Sequence, residues 1–138
     1  MIKKYQAVSC VLRNVDRILM LKRSSKVRTN KGLWSIVAGE VIDDPYSTAI
    51  TEIEEETGLL TDDVIFIKKG HSVEISLSPE STTSVFPFLF HTEETNIKIN
   101  WEHDEYRWIV PNELKELTLV PRFYDILLSL GLNDFLPN

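Results

Sequence analysis

Residues 52–56 carry four carboxylates, Glu52, Glu54, Glu55 and Glu56, yet no Lys or Arg lies between Ser47 and Asp62. The surrounding pattern is that of a helix with defined ends. Asp44 is a good N-cap and Pro45 suits the first turn, where its missing N–H costs nothing. Ala49, Ile50 and Ile53 supply an inner face, and Gly58 is a natural stop. The acidic run therefore falls at the helix C-terminus, on the side expected to point away from Ile50 and Ile53. The last carbonyls already carry the negative end of the helix dipole, so charge of that sign is disfavoured there. Like charges three and four apart repel by a further few tenths of a kcal/mol per pair (roughly). At about 100° per residue, Glu52, Glu55 and Glu56 lie within roughly 100° of arc, so their carboxylates converge. A hard divalent cation turns that repulsion into binding, because Mg²⁺ takes oxygen ligands and shares them with phosphate. A solvated acidic face is the alternative. The missing cations and the terminal position favour the metal.

The rest of the chain sets the frame. At 138 residues, 43% of them hydrophobic and 26% charged, it reads as a single globular domain spanning 1–138. A net charge of −6 gives no global basic footprint for nucleic acid or anionic lipid. A phosphorylated ligand must then be held by local cations, by a metal, or by both. The single cysteine, Cys10, excludes an internal disulfide and fits a reducing cytoplasm. Its apolar setting, Ala7 to Leu12, marks it as a buried strand residue. No signal-peptide core and no run long enough to cross a membrane is present.

Apolar β-branched runs at 5–12 and 17–23, joined by the turn Arg13-Asn14-Val15-Asp16, predict a hairpin. A basic loop at 24–32 carries Lys26, Arg28 and Lys31, and 33–41 reads as a strand interrupted at Ala38-Gly39. Strands are expected at 64–69, 72–77, 85–92 and 106–110, a short helix at 111–117 and an amphipathic helix at 121–130. Such a mixture predicts an α/β (α+β) sandwich, a mixed sheet flanked by helices.

Residues Thr51 to Leu59 resemble the second half of the Nudix box, whose pattern is G-x5-E-x7-R-E-U-x-E-E-x-G-U with U aliphatic. Glu52, Ile53, Glu55, Glu56, Gly58 and Leu59 match in register, and Asp43 falls where the family has its first Glu. Trp34, the Lys22-Arg23 pair closing the second strand and the segment Glu102, Glu105, Trp108 are similar as well. Two departures stand out. Thr51 replaces the family Arg that holds the catalytic Glu, and Val37 occupies the strict box-glycine position. Ala38-Gly39 resembles the family's glycine pair if the following loop is about two residues shorter than usual, which leaves the role of Glu40 open.

The resemblance implies a Nudix-type sandwich with its central helix at about 44–57, and hydrolysis of a phosphoanhydride in a nucleoside diphosphate-type compound. It assigns Glu52, Glu55 and Glu56 as ligands of Mg²⁺, with Mn²⁺ as the substitute, and Glu52 as ligand or water-activating base. Glu102, with Glu105 second, is the distal carboxylate. Arg23, Lys22, Gly39 and Trp34 are expected to contact substrate, and Trp34 is also a candidate for core or pocket wall. Glu54 points elsewhere and serves as the internal control. His103 can donate to a phosphate or lie at the surface; His71 and His91 read as strand-end residues, Trp101 as a possible stacking surface and Trp108 as core. Many relatives pair as homodimers. A Nudix-fold module that binds nucleotide without turnover is the competing reading, motivated by Thr51. An unrelated domain with an acidic interaction helix is the third.

Overall fold

In the computed structural model the described residues are 1–137, with Leu77 described by its backbone alone. Among them, eight strands form one mixed sheet, and helices cover both of its faces. The strands are β1 (Lys3–Asn14), β2 (Arg17–Arg23), β3 (Trp34–Ser35), β4 (Val37–Glu40), β5 (Val64–Lys69), β6 (Val73–Ser78), β7 (Ser81–Thr92) and β8 (His103–Ile109). The helices are α1 (Pro45–Thr57), α2 (Pro111–Leu114) and α3 (Phe123–Ser129). The main path runs β3-β2-β1-β7-β5, with β4 on β1, β6 on β7 and β8 on β2. β1 and β7 run parallel from Lys3 opposite Ser81 to Arg13 opposite His91, and every other pairing is antiparallel.

Side chains alternate across a strand, and here the alternation builds two cores. Val8, Cys10 and Leu12 of β1, Leu19 and Leu21 of β2, and Phe88 and Phe90 of β7 face α1 and meet Ala49 and Ile53. Val11, Ile18, Met20 and Leu89 face the other way, against Leu114 of α2 and Phe123, Ile126 and Leu127 of α3. Ile53 is 1% exposed, and its truncation to Ala is expected to cost ~2–5 kcal/mol.

Some boundaries differ from those the sequence predicts. The break in the 33–41 strand falls at Ile36, not at Ala38-Gly39, because Trp34 and Ser35 pair with β2 while Val37 to Glu40 pair with β1. β7 starts four residues earlier than expected, as its long parallel ladder with β1 recruits Ser81 to Ser84. β8 begins at His103, where a bulge between Lys22 and Arg23 lets that residue pair with Arg23. The two C-terminal helices are shorter than their periodicity suggests.

Candidate active site

The last turns of α1 carry the acidic residues, and both helix ends are fixed by the residues the sequence singles out. The Asp44 carboxylate accepts hydrogen bonds from the backbone N–H of Ser47 at 3.0 Å and from the Ser47 hydroxyl. The Ser47 side-chain bond, ahead of the backbone one, holds the Asp44 carboxyl below its usual range. Gly58 adopts φ 78° and donates to the Glu54 carbonyl at 2.9 Å, closing the helix in the left-handed conformation that glycine accepts without strain. Asp43 also has positive φ, at 68°, a region Asp tolerates better than most residues. Thr48, not picked out from the sequence, secures this short loop. Its buried hydroxyl lies 2.8 Å from the carbonyls of Ile42 and Asp44 and accepts from the Ile42 N–H at 2.9 Å.

The acidic face is not uniformly solvated. Glu54, Glu55 and Thr51 are exposed and Glu52 is half-buried, whereas Glu56 is only 1% exposed. Glu56 lies three residues after Ile53 and seven after Ala49, so it shares their inward stripe; the expectation that the whole acidic face turns away from Ile53 fails at this residue. Its Oε2 accepts from the Ala38 N–H at 3.3 Å. The Glu52 and Glu56 carboxyls are near enough to act on each other. Burial raises the Glu52 carboxyl pKa, and the charges of Glu55 and Glu102 raise it further against the lowering effect of the Glu56 bond. Burial pushes Glu56 well above the usual carboxylate range, with the Glu102 charge next in effect. Both effects favour the protonated carboxyl over the charged one at these two positions when no cation is bound.

Gly39 sits directly across from this pair. A Cβ built there would lie 2.3 Å from Glu52 Cδ and 2.5 Å from its Oε1. The position must therefore be glycine for Glu52 to stand where it does. Together with the Ala38 contact to Glu56, this supports Ala38-Gly39 as the counterpart of the family's glycine pair, followed by a shortened loop. β4 alternates, so Gly39 and Val37 face α1 while Glu40 points to the opposite side and is exposed.

The distal carboxylates separate clearly. Glu102 lies in the loop before β8, and its charge acts on both Glu52 and Glu56. Its backbone N–H donates to Asn100 Oδ1 at 3.0 Å, the Asn100 amide donates to Glu102 Oε1 at 3.1 Å, and its carbonyl accepts from Ser24 N at 2.8 Å. Glu105 is turned to Arg107, whose Nε donates to it at 2.9 Å.

Among the basic candidates, Arg23 belongs to this region: its Nε donates to the Thr29 carbonyl at 3.0 Å, tying in the 24–32 loop, and its charge acts on His103. Lys22 and Trp34 do not. They are cross-strand partners, which share a face, and Trp34 is 6% exposed within the core on the α2/α3 side. Arg107 covers the Trp34 ring at 5.0 Å. Both therefore project to the sheet face opposite α1, Trp34 buried and Lys22 half-buried. Lys26, Arg28 and Lys31 are exposed loop charges. Trp101 is 62% exposed, and Trp108 is half-buried with its Nε1 donating to the Thr95 carbonyl at 2.8 Å. His71 is exposed, and His91 bonds to Glu93 at 2.9 Å. Cys10 lies buried beside the carboxylates, and burial, then Glu56 and Glu52, push its thiol pKa up, the reverse of what a nucleophile needs.

His103 departs from the surface position that is the simplest reading of the sequence. It is 5% exposed, and its Nε2 stands 3.7 Å from Glu56 Oε1. Its inward placement follows from the earlier start of β8. Among the described residues, no three carboxylate, imidazole or thiol side chains stand at metal-ligating separations as they are. The donor set nevertheless fits a divalent cation: Glu52 and Glu56 are oxygen donors, no Lys or Arg among the described residues pairs with them, and burial first, then neighbouring carboxylate charge, disfavours their charged forms until a cation compensates. Beside the pair, Ile42, Asp43, Ser47, Thr48, Thr51, Glu52 and Glu55 line a cavity of about 270 Å³.

A mixed sheet between helices, with carboxylates at the end of one helix facing a glycine of the adjoining strand, is the architecture of an α/β sandwich. A model of the NUDIX domain matches residues 3–130, and the chain belongs to the Nudix family. No curated protein sequence matches it. Its fold is similar to that of a MutT protein from Methanosarcina mazei Go1, at 23% identity and TM-score 0.74, covering 96% of each chain. It is similar also to a C. elegans Ap4A hydrolase in a binary complex, at 15% identity and TM-score 0.77 over 94% of this chain and 96% of that one. A third similar structure is the NUDIX domain of Shewanella oneidensis NrtR complexed with ADP ribose, at 14% identity and TM-score 0.68, covering 96% and 90%.

Proposed function

We propose that the protein is a divalent-metal-dependent pyrophosphohydrolase that cleaves the P–O–P linkage of a nucleoside diphosphate-type compound. The observation that carries this reading is the Glu52–Glu56 pair, held over Gly39 and faced by Glu102. Glu52, Glu55 and Glu56 would hold Mg²⁺ or Mn²⁺; such an ion, when bound, neutralises phosphate oxygens and makes phosphorus easier to attack. Glu52 or Glu102 accepts the proton of a water as its oxygen bonds to phosphorus, and the bridging P–O bond breaks, releasing two phosphate-terminated products. A base so placed contributes ~10²–10⁴-fold. Arg23, at the rim, supplies positive charge to the leaving phosphate. The names of the similar structures, an Ap4A hydrolase and the NUDIX domain of NrtR complexed with ADP ribose, support a nucleotide-type diphosphate.

Thr51 motivates one second reading. It is exposed beside Glu52, so the cation that holds this Glu in the family is replaced by a neutral side chain. A module that binds a nucleotide without turning it over is compatible with that. Release of nucleoside monophosphate or phosphate from a panel of nucleoside diphosphate compounds, with and without Mg²⁺, separates the two. Turnover abolished by Glu56→Gln and spared by Glu54→Gln supports the hydrolase. Tight binding with no turnover across the panel supports the module.

A further inference from the structure

We propose that His103 is a nitrogen ligand of the ion held by Glu52 and Glu56, and that it biases this site toward manganese, iron(II), cobalt or zinc relative to magnesium. The inference rests on the metal-dependent reading above and deepens it.

The imidazole is sealed in. Its side chain is 1% exposed, and among the described residues neither Nδ1 nor Nε2 has a hydrogen-bond partner. Buried polar atoms are satisfied in the great majority of cases, so an orphaned imidazole with two free nitrogens calls for a missing partner. One group stands near it: Nε2 is 3.7 Å from Glu56 Oε1, beyond hydrogen-bonding distance. Two ligands of one ion, each at about 2.0–2.2 Å from it, stand roughly 3–4 Å apart. The separation is thus that of co-ligands rather than of a bonded pair.

The backbone fixes the residue: His103 pairs with Arg23 at the β2 bulge and its N–H donates to the Asn100 carbonyl at 3.2 Å. Carboxylate oxygens alone suit Mg²⁺ and Mn²⁺, while an imidazole adds affinity along the series from manganese to zinc and little for magnesium.

Pulsed electron paramagnetic resonance of the Mn²⁺-loaded full chain, prepared with ¹⁵N-histidine, reads this directly. The chain has three histidines, and His71 and His91 lie elsewhere, so a directly bound histidine nitrogen reports His103. The expected result is a ¹⁵N coupling of bound imidazole that disappears in His103→Gln. In the same variant, Mn²⁺ affinity should fall at least about tenfold while Mg²⁺ affinity changes much less. Mn²⁺ bound without histidine coupling would overturn the proposal and leave the metal-dependent reading standing. No Mn²⁺ binding to the wild type would overturn both. Should His103→Gln not fold, the labelled wild-type spectrum decides alone.

Discussion

Replacing Gly39 by Ala isolates the placement of Glu52 from the stability of the fold. The added Cβ would stand 2.3 Å from Glu52 Cδ, whereas carbon atoms rest at about 3.5 Å or more, so the carboxylate must retreat by at least about 1.2 Å. The colliding atoms are the far end of a half-buried, flexible side chain, which can swing into the neighbouring cavity. Gly39 does not have positive φ, so Ala meets no backbone strain and restricts the unfolded chain, worth ~0.4–1 kcal/mol in favour of folding. Stability should therefore change by no more than about 1 kcal/mol in either direction. A reacting group displaced by about 1 Å costs ~10²-fold in rate, or about 2.7 kcal/mol of transition-state stabilisation. The assay is steady-state hydrolysis of a nucleoside diphosphate compound with Mg²⁺, alongside thermal melting of the same samples. A variant with unchanged kcat/KM would refute the role given to Glu52. A variant that unfolds with full activity per folded molecule would refute the claim that the clash is relieved by the side chain.

Three further outcomes follow from the same geometry. Saturating Mg²⁺ or Mn²⁺ should raise the melting temperature, by the equivalent of ~2.7 kcal/mol at one hundred times Kd, with the gain lost in Glu56→Gln and kept in Glu54→Gln. Because the Glu52 and Glu56 pKa values are raised in the folded metal-free protein, their contribution to stability is largest at low pH and declines as pH rises above the ordinary carboxylate range toward their folded values. The metal-induced shift in melting temperature should accordingly grow with pH from about 5 to 8, and a shift that shrinks would count against carboxylate ligation. His103 works in the opposite sense: with its folded pKa lowered to about 4, its penalty is absent above about 6.5 and increases as pH falls toward 4. Metal-free wild type should thus gain stability between pH 4 and 6.5 more steeply than His103→Gln, as read by chemical denaturation. Thr51→Arg, at an exposed position beside Glu52 and Glu55, should fold normally and raise kcat/KM; no change or a loss would mean the site has been rebuilt around Thr51.

Local chemistry accounts for what could be read before the fold was seen. Asp44, Pro45 and Gly58 announce the ends of α1 through backbone groups they themselves satisfy, and the helix lies where they place it. The 13–16 turn and the apolar runs around it likewise locate β1 and β2. Long-range register was hidden. Which strand pairs with Val37, and where β8 begins, depend on partners far along the chain, so local pattern does not fix the face that carries Lys22 or the inward placement of His103, whereas Trp34 lies in the core, one of the two surroundings its sequence suggests. Glu56 is a different case. Its three-residue spacing from Ile53 put it on the buried stripe, a signal present in the sequence but outweighed by its charge.

Anomalous diffraction at the manganese edge, from crystals equilibrated with Mn²⁺ at near-neutral pH, asks the central question most directly. The account predicts a peak within coordination distance of Glu56 and Glu52 at the end of α1, on the Gly39 side. Density confined to other carboxylates, or no ordered manganese at saturating concentration, would contradict it.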